Sequence, residues 1–130
     1  MAKKECFISK KGPAGKGPYS SAVVYGDLVF VSGQGPVDPT TGEFVGETIE
    51  EQTRRTIQNL QIILEELGLS LTDVVKTTVF LKDLDHFSRM NAVYAEYFGP
   101  NYPARTTVQA GRLPFDILVE IEAVAARPGE

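Results

Sequence analysis

The chain has 130 residues, of which 42% are hydrophobic and 23% charged, and its formal net charge is −4. That length suits one ordinary globular domain burying roughly two-thirds of its unfolded surface, and the acidic balance argues against a nucleic-acid surface, which carries a basic excess or stripe. A single cysteine, Cys6, and a single histidine, His86, exclude an internal disulfide and a His/Cys zinc site built from one chain.

The opening MAKKECFISK lacks the apolar core of a signal peptide, and no run reaches membrane-spanning length. The expectation is a soluble, cytoplasmic protein without a membrane partner. CFIS (6–9) reads as a weak first strand, with Cys6 a small buried apolar group. GPAGKGPYS (12–20) is a Gly/Pro loop. AVVYGDLVFVSG (22–33) reads as a hairpin around Gly26-Asp27. The Gly and Pro spacing of GQGPVDPTTGEFVGE (33–47) marks a loop. It is not a dinucleotide loop, because no third glycine and no helix start follow GQG.

TIEEQTRRTIQNLQIILEELG (48–68) is the clearest helix. Thr48 and Glu51 form a capping box, Ile57, Leu60, Ile63, Leu64 and Leu67 recur at helical spacing, and Gly68 suits the stop. VVKTTVFL (74–81) is a β-branched strand. Asp85 is expected to cap a second helix over 86–98, with Phe87, Met90, Tyr94, Tyr97 and Phe98 on its buried face. No linker or repeat divides the chain, so residues 1–130 are read as one domain.

The last segment, RTTVQAGRLPFDILVEIEA (105–123), reads as a hairpin of arms 105–110 and 117–123. Ile117, Val119, Ile121 and Ala123 share an apolar face. Glu120 and Glu122 share the other, with Arg105, Thr107 and Gln109 if the arms pair. Opposed side chains then lie about 4.5–5.5 Å apart at Cβ. One register sets Thr107 against Glu120 and Arg105 against Glu122, and a two-residue slip sets Arg105 against Glu120. Such a cluster is either a solvated ion pair, contributing roughly 0–1 kcal/mol, or a site. In a site Arg105 would grip a ligand carboxylate with its guanidinium fork, and a carboxylate nearby would activate water.

The order β, β, β, α, β, α, β, β gives an α+β fold: one mixed sheet with two helices on one face, each a crossover between parallel strands. Two helices cover one face only, so the other is expected to meet another subunit.

PARTTVQAGRLPFDILVEIEAVA (103–125), GPYSSAV (17–23), VFVSGQGPVDPTTGE (29–43) and MNAVYAEYF (90–98) together resemble the RidA/YjgF family over nearly the whole chain. The resemblance implies a chorismate-mutase-like fold assembled as a homotrimer with clefts between subunits. It implies hydrolysis of reactive 2-imino acids, formed by pyridoxal-phosphate-dependent dehydratases, to 2-oxo acids and ammonia. By position, carboxylate binding falls on Arg105 and water activation on Glu120. Further substrate contacts fall on Tyr19, Ser32, Gly33 and Asn91. Many members carry cysteine where this chain has Thr107, so the implied site lacks a thiol. An iminium carbon is already electrophilic, and the chemistry demands no metal or cofactor. Two rival functions stay open: a trimer that binds and reports a metabolite, and RNA cleavage, which the acidic balance and lone histidine disfavour.

Overall fold

In the computed structural model, which describes residues 3–129, the β-rich segments become six strands. They are β1 (Glu5–Phe7), β2 (Ala22–Tyr25), β3 (Leu28–Gln34), β4 (Val74–Leu81), β5 (Ala104–Gln109) and β6 (Val119–Ala126). All six form one mixed sheet in the order β1-β2-β3-β6-β4-β5. The two periodic segments become α1 (Ile49–Glu66) and α2 (Phe87–Phe98). Both lie on one face, where Ile57, Leu60, Ile63 and Leu64 of α1 and Met90, Tyr94 and Phe98 of α2 join the sheet's core residues. No described helix is long and apolar enough to cross a membrane.

The local signals act as their chemistry dictates. Gly26 turns the β2–β3 hairpin at φ +61. Thr48 caps α1 through both halves of the box: Glu51 N–H donates to Thr48 Oγ1 at 3.1 Å and Thr48 N–H to Glu51 Oε1 at 3.3 Å. Gly68, at φ +78, ends that segment. The entry to α2 differs from expectation. A 3-10 turn over Leu84–His86 precedes the helix; Asp83 caps that turn, accepting from Asp85 N–H at 2.9 Å, and α2 itself starts from His86 without a side-chain cap. Cys6 is exposed, not buried. It sits on the three-residue edge strand β1 opposite Val23, where no helix covers it.

The expected terminal hairpin does not form. β4 lies between β5 and β6, parallel to β5 and antiparallel to β6. The reason lies in the two strands themselves. Val119, Ile121, Ala123 and Ala125 of β6 are all buried, which suits a central strand with neighbours on both edges. Every residue of β5 is at least partly exposed, which suits an edge. The connection crosses the end of β4, where Ala110 N–H donates to Leu81 O at 2.9 Å and Lys82 N–H to Leu118 O at 3.0 Å. The helices do act as parallel crossovers: α2 joins β4 to β5, and α1 joins β3 to β4, which both run antiparallel to β6.

Lateral partners in a sheet project to the same side. Arg105 pairs with Thr77, and Thr77 with Ala123, so Arg105 emerges on the helix side. Glu120 pairs with Phe80, and Phe80 with Val108, so Glu120 emerges on the uncovered side. That side also bears Tyr25, Leu28, Phe30 and Val108, all exposed.

A polar device absent from the periodicity argument ties α1 to the 35–37 loop. Asn59 is fully buried. Its Nδ2 donates to Gly35 O at 2.9 Å and Val37 O at 2.8 Å, and its Oδ1 accepts from Arg55. Removing the amide strands two carbonyls. Asn59→Ala is therefore expected to lower unfolding stability by about 2–4 kcal/mol, against about 1 kcal/mol for the cap substitution Thr48→Ala. Urea denaturation measures both, and an Asn59 loss no larger than that of Thr48 contradicts the account.

Candidate functional site

Glu120 is delivered by the alternation of β6 and received by an irregularity in β3. The β3–β6 register shifts between Val31 and Gln34, where Ser32 and Gly33 fall. A Cβ on Gly33 would stand 2.5 Å from Glu120 Oε2, so glycine lets the carboxyl lie against the strand in this position. Ser32 Oγ donates to Ser20 O at 2.7 Å, anchoring the Tyr19 loop to the strand. Tyr19 is largely exposed, and its hydroxyl accepts from Lys16 N–H at 3.2 Å. Tyr19, Gly33, Phe44, Phe115, Ile117 and Glu120 line one cleft.

Glu120 is half-buried and has no hydrogen-bond or ion-pair partner among the described residues. Burial first, and the neighbouring Glu122 carboxylate second, push its pKa above the ordinary glutamate value. A carboxyl tuned this way is a stronger base once ionised.

Arg105 occupies a second cleft, lined also by Asn91, Tyr94, Ala95, Tyr102 and Pro103. Its guanidinium carbon lies 4.8 Å from the Tyr94 ring centre and 5.5 Å from that of Phe87, so two aromatic faces on α2 hold the cation. The Tyr94 ring is itself fixed by a buried 2.6 Å hydrogen bond between its hydroxyl and Thr77 Oγ1. Burial raises the Tyr94 pKa, opposed by the Thr77 bond and the Arg105 charge. No carboxylate pairs with Arg105 among the described residues, whose ion pairs are Arg54–Glu96, Lys82–Asp116 and Arg89–Glu50. Beside it, Asn91 Oδ1 and Thr107 Oγ1 are buried without a partner. A planar cation on an aromatic platform, with unsatisfied polar atoms nearby, can receive a small carboxylate.

The seven predicted site residues therefore divide. Tyr19, Gly33 and Glu120 line the first cleft, with Ser32 fixing its loop, while Arg105 and Asn91 line the second, with Thr107 along the same strand. The expected contact between Arg105 and a carboxylate of β6 is absent. From strand rise and spacing the two Cα atoms lie roughly 14 Å apart, on opposite faces of the sheet. The sequence reading also missed Lys16, Phe44 and Phe115 as cleft residues and Tyr94 as the arginine's platform. A bulky residue inside the RLPFD turn was the one available signal for Phe115.

The family model described as Endoribonuclease L-PSP matches residues 9–127. A RutC family protein of Pyrococcus abyssi is 55% identical over 122 residues, covering 94% of this chain and 96% of its own. The 2-iminobutanoate/2-iminopropanoate deaminase of Salmonella typhimurium is 45% identical over 124 residues, covering 93% and 96%. The crystal structure of the YjgF gene product of Escherichia coli superposes with a TM-score of 0.90 at 42% identity, covering 95% of this chain and 99% of that one.

The raised Glu120 pKa fixes the sign of a stability effect. A carboxyl whose folded pKa exceeds its unfolded value favours the fold while protonated, and that contribution is lost as pH rises through the folded pKa. At pH 7 the ionised group is a liability. Glu120→Gln is expected to raise the Tm at pH 7, with the gap closing as pH falls below the ordinary glutamate value. Calorimetry across that range checks it, and a lower Tm for the variant at pH 7 contradicts it.

Proposed function

The chain belongs to the RidA/YjgF family, and from that premise we propose that it hydrolyses reactive 2-imino acids to 2-oxo acids and ammonia. We place it in the cytoplasm as a homotrimer whose sites are completed between subunits. The observation that carries this reading is the division of the site. A guanidinium and a half-buried carboxyl, each without a partner among the described residues, face opposite sides of one sheet. Neither half suffices alone, and a second copy of the chain supplies what the first lacks. The exposed apolar residues of the uncovered face, Tyr25, Leu28, Phe30 and Val108, provide a surface for that assembly.

In this scheme Arg105 holds the substrate carboxylate in bidentate fashion and presents C2 of the imine to Glu120 of the partner subunit. That carboxylate accepts a proton from water as the oxygen attacks C2, giving a tetrahedral carbinolamine. The proton then passes to the nitrogen, the carbinol O–H gives its own proton back to the carboxylate as the C–N bond breaks, and the ammonia released takes up that proton and leaves as ammonium with the 2-oxo acid. Tyr19, Ser32 and Asn91 and the backbone near Thr107 hydrogen-bond the substrate. Positioning and one base suffice because the carbon is already electrophilic. General-base assistance contributes roughly 10²–10⁴-fold.

The matched family's description as an endoribonuclease supports RNA cleavage as a second reading. The net charge of −4 and the single histidine weigh against a phosphate-tracking surface and a histidine acid–base pair.

The test couples the purified protein to a threonine or serine dehydratase. It is expected to speed the appearance of 2-oxobutanoate or pyruvate, and Arg105→Ala to abolish the acceleration. Activity rises with pH through the elevated Glu120 pKa, since the base works ionised. Glu120→Gln removes that limb and about 10²–10⁴-fold of the rate. Oxo-acid release no faster than in buffer sinks the proposal.

A further inference from the structure

Three segments remote in sequence meet in the Glu120 cleft without a role in the chemistry above. Phe44 comes from the 35–47 loop, Phe115 from the 3-10 turn Pro114–Asp116, and Lys16 from the Tyr19 loop. The two rings stack at 4.8 Å between centres and 30° between planes. Lys16 Nζ lies 5.8 Å from the Phe44 centre and 5.5 Å from that of Phe115. Phe115 has left-handed backbone at φ +61, followed by Asp116 at φ +58. A bulky residue rarely adopts that conformation. Phe115 is 63% exposed and takes no part in the hydrophobic core. A glycine or asparagine would make this turn more readily, so folding does not explain the phenylalanine.

The support beneath the ring pair is fixed from both sides. Gln52 of α1 donates through Nε2 to Gly46 O at 3.0 Å and accepts at Oε1 from Leu118 N–H at 2.8 Å. One side chain thus ties together the loop bearing Phe44 and the segment following Phe115. Ile117 presses on Gly35, where a Cβ would stand 2.8 Å from Ile117 Cδ1, and extends the apolar wall. Strain held by such surroundings marks a functional position.

We propose that the Phe44–Phe115 pair, with Lys16 over its faces, is the side-chain subsite of this cleft and selects 2-imino acids bearing aromatic side chains. This rests on the imine-hydrolysis reading and names its substrate class. The ring faces already engage the Lys16 ammonium, leaving ring edges and the Ile117 wall to meet a neutral, flat side chain. A methyl or ethyl group would cover little of such an apolar wall. The reaction is R–C(=NH₂⁺)–COO⁻ + H₂O → R–CO–COO⁻ + NH₄⁺, with R a benzyl-type group.

The experiment releases imino acids in situ from alanine, phenylalanine and glutamate with amino-acid oxidases and reads hydrolysis as lost semicarbazide trapping. The parent protein is expected to favour the phenylalanine-derived imine over the alanine-derived one by roughly tenfold or more in kcat/KM. Phe44→Ala/Phe115→Ala brings that ratio near unity, and Phe115→Leu, which keeps an apolar group and guards against misfolding, lowers it. Equal acceleration of both imines, or an unchanged ratio in the variants, overturns the subsite. So does preference for the glutamate-derived imine that is lost in Lys16→Met, which would assign the pocket to anionic side chains. Calorimetric binding of phenylpyruvate and pyruvate reads the subsite without turnover. If no imine is hydrolysed faster, the imine-hydrolysis reading fails. Phenylpyruvate bound about tenfold tighter than pyruvate, an advantage lost in Phe115→Leu, still upholds the subsite, whereas equal affinity overturns it.

Discussion

The hydrogen bonds that join β5 to β4 and β4 to β6 fix the sides of the sheet on which Arg105 and Glu120 emerge. Because Arg105 sits in the row of Thr77 and Ala123, it must face the helices. Because Glu120 sits in the row of Phe80 and Val108, it must face away. No rotamer change brings them together through an intact sheet, since β4 lies between their strands, the Cα atoms are roughly 14 Å apart and the side chains leave opposite faces. Neither group finds a partner among the described residues of its own chain: the guanidinium is stacked rather than neutralised, and the carboxyl is half-buried against Gly33 rather than hydrogen-bonded.

The same topology leaves one sheet face without helices. A face bearing Tyr25, Leu28, Phe30 and Val108 beside Thr78, Glu120 and Glu122 is too apolar to be merely a solvated surface and too polar to be a core. Assembly of copies on this face would shield the apolar residues and close a neighbour's wall over Glu120, drying the carboxyl further. Stability and the proposed function pull apart there. The burial that raises the Glu120 pKa opposes folding at neutral pH and improves the base.

How much of this was legible in the sequence depends on the range of each interaction. Local signals read correctly: Thr48 with Glu51, the Ile57–Leu64 stripe and Gly26-Asp27 act within a few residues. The alternation of β6 identified its apolar face and set Glu120 opposite. What failed was the choice of neighbour. Sequence proximity of 105–110 and 117–123 favoured a hairpin, yet the insertion of β4 depends on which strand buries both edges, a property of the whole sheet. The Asp83 cap and the exposure of Cys6 were missed for related reasons, since a 3-10 turn shifted one and an edge position set the other. The candidate site residues came from family resemblance rather than from periodicity. Periodicity places Arg105 and Glu120 side by side, and it places Tyr94 in the core, where it lies, without revealing that the same ring carries the arginine.

Subunit complementation tests the divided site most directly. Arg105→Ala and Glu120→Ala proteins are each prepared inactive, then mixed, dissociated and reassembled. If every site draws its arginine from one subunit and its glutamate from the next, random assembly restores about a quarter of parental imine hydrolysis. If the mixture stays as inactive as its components although the subunits have exchanged, the site is not shared between chains and the account is wrong.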